Sequence, residues 1–344
     1  MKDMLSDRTA TVLKTLVEEY IETAVPVASE SIAGRSPVKV SSATVRNKMV
    51  ELAEEGYILR PHISSGGIPS NKGYRFYIES LDEDLEPSPE LRRQVRSRFG
   101  NSPRDLESWV KLGSDILSNL ADNMAIVTSP RAPLSRVKYI QIIQLEKFLA
   151  LLILVLEQAK LRKQLIPLEN AYTQDDLTVV ANKLNSAYSG LTYQEFLNKS
   201  VKLTPFEETV RQDALKVLKE ESEKEEIDHS VDGIRLILGQ PEFAQGGAAQ
   251  QVVEILEHKV LIKSILAEAP RAGNLVVHIG EENTEETLKP FSIILCQYGI
   301  PETATGVIGV VGPTRMEYSN AMGGVRFLSS FMSDLVSSTH SGLQ

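Results

Sequence analysis

Between Arg35 and Arg75 the chain carries seven cations, Arg35, Lys39, Arg46, Lys48, Arg60, Lys72 and Arg75, against three acids, Glu51, Glu54 and Glu55, confined to one helical turn. Side chains of these types meet phosphate oxygens and base edges. The densest group is Ser41-Ser42-Ala43-Thr44-Val45-Arg46-Asn47-Lys48, which sets hydroxyls, an amide and two cations in two helical turns. Asn47 offers an amide suited to an adenine edge, and Arg46 suits either a phosphate or a guanine edge, a choice the residues leave open. Lys39, Ser42, Thr44 and Lys48 complete the candidate contacts of this segment. His62 and Ser65 follow on an expected hairpin, and Lys72 and Arg75 on the helix after it.

These side chains need a scaffold, and the pattern supplies one. Val12, Leu13, Leu16, Val17, Tyr20 and Ile21 recur at helical spacing, with Ser6 or Asp7 able to cap the start. Ser29 opens a short second helix that Gly34 is placed to stop. Ser41 or Ser42 caps a third helix that buries Val45, Met49, Leu52 and Ala53 and shows Thr44, Asn47, Lys48 and Glu51 on the other side. Gly56 ends it. Tyr57 to Arg60 reads as a strand, Ser64-Ser65-Gly66-Gly67 as a turn, and Ser70 as the cap of a fourth helix, 71–81. Helix, turn, helix and wing is the plan of a double-stranded DNA reader, although such a domain also serves as a protein-binding module.

Bulk charge points the other way, since the chain is formally −9 with 42% apolar and 24% charged residues. The distribution resolves this. Residues 1 to 80 hold ten Lys/Arg and ten Asp/Glu, so the remaining 27 against 36 carry the whole deficit. A neutral, dipolar lobe on an acidic body binds DNA by one face while the body is repelled. No apolar run approaches the roughly 20 residues of a membrane span. The N-terminus lacks a signal-peptide core, and the single cysteine, Cys296, has no partner for an internal disulfide. A cytoplasmic protein is expected.

Catalytic patterns are weak. His62, His229, His258, His278 and His340 are scattered with no metal-ligand spacing, so no metal or cofactor is expected. Cys296 sits in an apolar run as a structural thiol, Gly246-Gly247 lacks a phosphate-loop ending, and Glu281-Glu282 reads as solvated charge. Arg315 is either an anion ligand or part of a glycine-bearing packed strand. No enzyme is expected.

The stretches 40–47, 52–57 and 61–77, with Ile279-Gly280-Glu281-Glu282-Asn283, Gly306 to Tyr318 and Gly239-Gln240-Pro241-Glu242-Phe243, resemble the HrcA family of heat-inducible transcription repressors over nearly the whole chain. The family carries an arginine where this chain has Gly67, taken as the wing tip, and an acid where it has Lys48, so one contact is expected to have moved from wing to helix. The resemblance implies an α+β fold: an N-terminal winged helix-turn-helix, a GAF-like antiparallel sheet domain and an inserted, mainly helical dimerisation domain. It implies a homodimer on an inverted-repeat operator of double-stranded DNA upstream of chaperone operons, released on heat stress when the GroEL chaperonin is titrated.

The remaining pattern fits that plan. Residues 1–80 form the DNA-binding domain, and acidic, proline-bearing residues open a linker over 81–104. Apolar runs 124–128, 137–145, 148–156, 275–279, 291–298 and 305–311 read as strands, and 170–265 as mostly helical. The expected GAF-like domain is therefore 105–165 with 266–344, and the insert 166–265. Two other classes remain on the residues alone: an effector sensor whose sheet binds a small molecule, and a hydrolase or transferase with a regulatory winged helix.

Overall fold

A computed structural model describes residues 5–35, 41–60, 65–81, 87–103, 105–131, 136–157, 161–222, 228–243, 250, 252–254, 260–268, 270, 273–301 and 303–341. The chain divides into two compact units. The first is Met1–Ser129, His229–Gly299 and Gly306–Leu335; the second is Pro130–Asp228, Ile300–Thr305 and Val336–Gln344.

The first unit opens with α1 (Asp7–Thr23), α2 (Ser29–Arg35) and α3 (Ser42–Glu54). Ser6 caps α1 by accepting from the Thr9 amide, and Ser41 caps α3 by accepting from the Thr44 amide. The second helix runs through Gly34 rather than stopping there, because Ile32 is buried under it and glycine tolerates helical angles. Strands β1 (Ile58–Leu59) and β2 (Ile68–Pro69) pair antiparallel, and the Val27 and Gly67 backbones exchange hydrogen bonds of 2.9 and 2.8 Å beside them. Helix α4 (Asn71–Glu79), capped by Ser70, returns Tyr74, Tyr77 and Ile78 to a core of Leu13, Leu16, Val17, Val45, Met49 and Leu52.

Helix α5 (Pro89–Gly100) occupies half of the expected linker, 81–104. It is capped by Ser88 and buries Val95 and Phe99, the latter edge-on to Phe331 at 5.0 Å, so this stretch is packed structure. After α6 (Leu106–Ala121), the left-handed Asp122 (φ 49°) turns the chain into β3 (Met124–Thr128). That strand belongs to an antiparallel sheet with β7 (His229–Asp232), β8 (Leu275–Ile279), β9 (Phe291–Ile300) and β10 (Ala304–Pro313), in the order β7-β3-β10-β9-β8. This is the GAF-like sheet. One face packs Ile237, Phe243, Val252, Leu261 and Ile265 from the segment after β7, which includes α10 (Ile234–Leu238). The other carries α6 and the C-terminal helix Tyr318–Ser341: Ser114 donates to Ser230, and Cys296 to Ser329.

The second unit, inserted in the chain between β3 and β7, has its own sheet. Strands β4 (Val137–Glu146), β5 (Leu149–Leu156) and β6 (Leu161–Pro167) form an antiparallel meander in the order β4-β5-β6. Helices α7 (Gln174–Tyr188), α8 (Tyr193–Asn198) and α9 (Pro205–Ser222) follow, each of the first two opening with a capping box. Ile140, Ile142, Leu152, Leu154 and Ile166 share a core with Leu177, Leu184, Tyr188, Phe196, Val210 and Leu218. The boundaries thus differ from the expected 166 and 265. Strands β4 and β5 pair within the insert, where helices α7, α8 and α9 pack with them, while Ile237, Phe243, Val252, Leu261 and Ile265 pack on the larger sheet.

Candidate nucleic-acid interface

Helix α3 is anchored by Val45, Met49 and Leu52, all at most 1% exposed. At about 100° per residue, the positions opposite those three are Ala43, Asn47, Val50 and Glu54. All four are exposed, as are Thr44 and Arg46 on the flanks. A methyl, an amide and an isopropyl group therefore form the outermost stripe, spanning about 10 Å of helix axis, or roughly three base-pair steps. An amide suits adenine and apolar groups suit the thymine methyl in a major groove. Polar residue types alone do not mark Ala43 and Val50, whereas the inverse of the buried Val45-Met49-Leu52 pattern does.

The expected cations separate in the structure. Arg46 is exposed beside Asn47. Lys48 is held by Glu51, Nζ to Oε2 2.6 Å, and lies on the flank of α3. Lys72 donates to the Glu55 carbonyl at 2.9 Å, with its ammonium 4.1 Å from the Tyr57 ring centre; it neutralises the C-terminal end of α3. Arg75 is the clearest departure from expectation. Its Nη2 donates to the Val277 carbonyl at 2.6 Å and its Nε to Glu282 Oε1 at 3.0 Å, so its guanidinium turns toward the sheet, away from the α3 face. A partner 207 residues away is invisible to local spacing.

Ser42 is half-buried in the first turn of α3, and the Thr44 hydroxyl lies 2.9 Å from the capping Ser41 hydroxyl. Ser65 is half-buried at the base of the wing. Lys39 and His62 lie outside the described residues. Gly67 is not a wing tip: a Cβ there would come 2.9 Å from Leu16 Cδ1 and 3.0 Å from Met49 Cε, so the position faces the core and has no room for a larger side chain.

The enzyme candidates settle into structural roles. The Cys296 thiol is buried, its pKa raised chiefly by that burial. Arg315 bonds to protein partners, Glu242, Gln240 and the Ile21 carbonyl. Among the described residues, no three His, Cys, Asp or Glu side chains are grouped to hold a metal, and no helix is long and apolar enough to cross a membrane.

A winged helix-turn-helix followed by a GAF-like sheet is the architecture of a regulator. The family profile described as HrcA protein C terminal domain matches residues 107–322. The heat-inducible transcription repressor HrcA of Dehalococcoides mccartyi (strain ATCC BAA-2266 / KCTC 15142 / 195) is 41% identical over 333 residues, 97% of this chain and 96% of the relative. The HrcA repressors of Herpetosiphon aurantiacus and Chloroflexus aurantiacus are 35% and 33% identical, over 96% and 98% of this chain and 95% of each relative. A solved structure described only as a hypothetical protein shares the fold, with a TM-score of 0.63 and 23% identity over 97% of this chain and 98% of that one. The chain belongs to the HrcA family of heat-inducible transcription repressors. It is a negative regulator of transcription and not an enzyme.

Proposed function

We propose that this repressor binds an inverted-repeat operator of double-stranded DNA upstream of chaperone operons, as a cytoplasmic homodimer, and occludes the promoter. The observation that carries the reading is the α3 surface, where Ala43, Asn47 and Val50 point away from the core between exposed Arg46 and Thr44. Asn47 reads an adenine edge, and the Ala43 and Val50 methyls meet thymine methyls. Ser42, Thr44 and Lys48 border that stripe; Lys39, His62 and Ser65 remain candidate backbone contacts. Lys72 and Arg75 are reassigned from phosphate contact to holding the domain together.

The dimer rests on the insert. The outward face of its sheet stacks Tyr139, Val155 and Leu161 in one cross-strand row and Ile143, Leu151 and Leu165 in another. Tyr139, Leu161 and Leu165 are 46%, 53% and 54% exposed. A second copy covering this face pairs two winged helices, and two half-sites multiply affinity. Release on heat through titration of GroEL comes from the family resemblance.

Gel shifts on the inverted-repeat duplex test the reading. Asn47→Ala is expected to weaken binding by about 1–3 kcal/mol and to relax selectivity at one base pair. Arg46→Ala weakens all sequences alike and lowers the salt slope by about one if it holds a phosphate. Unchanged binding by both variants removes α3 from the interface. In a refolding assay, heat-denatured repressor regains operator binding with GroEL and ATP and stays inactive when unfolded competitor protein is added.

A further inference from the structure

Three separated stretches that carry the family resemblance, 239–243, 279–283 and 312–318, converge on the winged helix. Glu282 is fixed before it meets Arg75, because the Ile279 amide donates to its Oε2 at 2.9 Å. Buried Asn283 ties the same turn down, donating to the carbonyls of Gly280, Leu288 and Phe291 at 2.9, 3.0 and 2.9 Å. Gly280 (φ +56°) lets the backbone approach α4, since a Cβ there would stand 2.4 Å from Asn71 Nδ2. The second attachment runs in the opposite sense. Arg315 reaches out of the body to the Ile21 carbonyl in the last turn of α1 at 3.0 Å. Its other donors hold Glu242 at 2.5 Å and Gln240 at 2.8 Å. Between the two arginines, the Tyr74 and Tyr318 rings meet at 5.9 Å.

One ion pair would leave the winged helix free to swivel; two attachments on different helices, with a ring contact between them, set its orientation. We propose that Arg75–Glu282 and Arg315–Ile21 form a rigid seat that fixes the direction of α3, making Arg75, Glu282 and Arg315 positioning residues that select the spacing between operator half-sites. This rests on the operator reading above. A dimer whose winged helices are rigidly seated accepts half-sites only on matching faces of the duplex, and about five inserted base pairs rotate one half-site by half a turn.

Two measurements on the full chain decide it. In gel shifts on inverted repeats of native spacing and of native spacing plus five base pairs, the wild type is expected to lose at least tenfold on insertion. Glu282→Gln and Arg315→Gln bind the native spacing more weakly but lose less than threefold on insertion; a penalty equal to the wild type's overturns the seat. Spin labels at Glu54→Cys on α3 and Asn119→Cys on α6, both exposed, give a narrow distance distribution that broadens at least twofold in either glutamine variant without DNA. An unbroadened distribution also overturns the proposal. A wild type that binds no inverted repeat sinks the operator reading alone, and the label widths still decide the seat.

Discussion

The two sheets of this chain are built from similar apolar strands and finished differently. In the five-stranded sheet both faces are covered: Phe291, Ile293 and Leu295 pack under the segment around Phe243 and Leu261, while Cys296 and Ser292 meet Ser329 and Tyr318 of the C-terminal helix. Burial along β10 is accordingly near-continuous. In the three-stranded sheet β5 alternates strictly, with Ala150, Leu152, Leu154 and Leu156 buried and Leu149, Leu151, Ile153 and Val155 half-exposed. Yet both sets are apolar. Antiparallel sheets with one wet face normally place polar residues on it. The larger sheet is thus covered on both faces by elements of its own chain, whereas the open face of the smaller one carries apolar rows on either side of Gln141, Ile153 and Lys163 and is the face assigned above to the proposed dimer.

The largest expected effect tests the completed sheet. Leu295 is fully buried, and Leu295→Ala should cost about 2–5 kcal/mol of stability, read from urea unfolding, with no change in oligomeric state. A cost under about 1 kcal/mol would mean that this core is looser than its burial indicates.

Next in size is the open face. Leu161→Lys with Leu165→Lys places two charges on the edge strand β6, where both leucines are already more than half exposed, so the monomer keeps its fold. Self-association, measured by analytical ultracentrifugation, should weaken at least a hundredfold, about 2.7 kcal/mol. Retention of the wild-type dimer would place the interface elsewhere. Leu165→Ala sharpens the contrast with Leu295→Ala: at a dilution where the chain is monomeric it should change stability by no more than about 0.5 kcal/mol, since little area is lost from water-free packing.

Which sheet a strand joins was the illegible part. The apolar runs that became β3, β4, β5, β8, β9 and β10 were plain, because β-branched and leucine-rich stretches between turn residues have few other fates. Their pairing is a long-range matter: β3 pairs with β7 and β10, while among the described residues the nearby β4 pairs with β5. Strand β6 has no strand signature because Arg162, Lys163 and Gln164 interrupt its pattern, and β7 has none because His229-Ser230-Val231-Asp232 is short and polar. At the candidate interface, the caps and buried side of α3 were legible from local spacing. The commitments of Arg75 and Arg315 were not, because their partners come from distant segments.

The smallest effect is electrostatic and confined to the insert. The Glu207 side chain is 8% exposed, and burial by itself raises a carboxyl pKa, but here the Lys183 ammonium at 2.7 Å and the Thr204 amide at 2.7 Å outweigh burial and lower it. A carboxyl whose folded pKa lies below its unfolded value of about 4.3 binds fewer protons in the native state. Its stabilising contribution is therefore complete above that value and is lost as pH falls through the folded pKa. Glu207→Gln removes the titration while keeping shape. Below about pH 4 the melting temperatures of wild type and variant should converge, whereas at neutral pH the wild type should melt higher. A constant gap across that range would show that the difference does not come from titration of the Glu207 carboxyl.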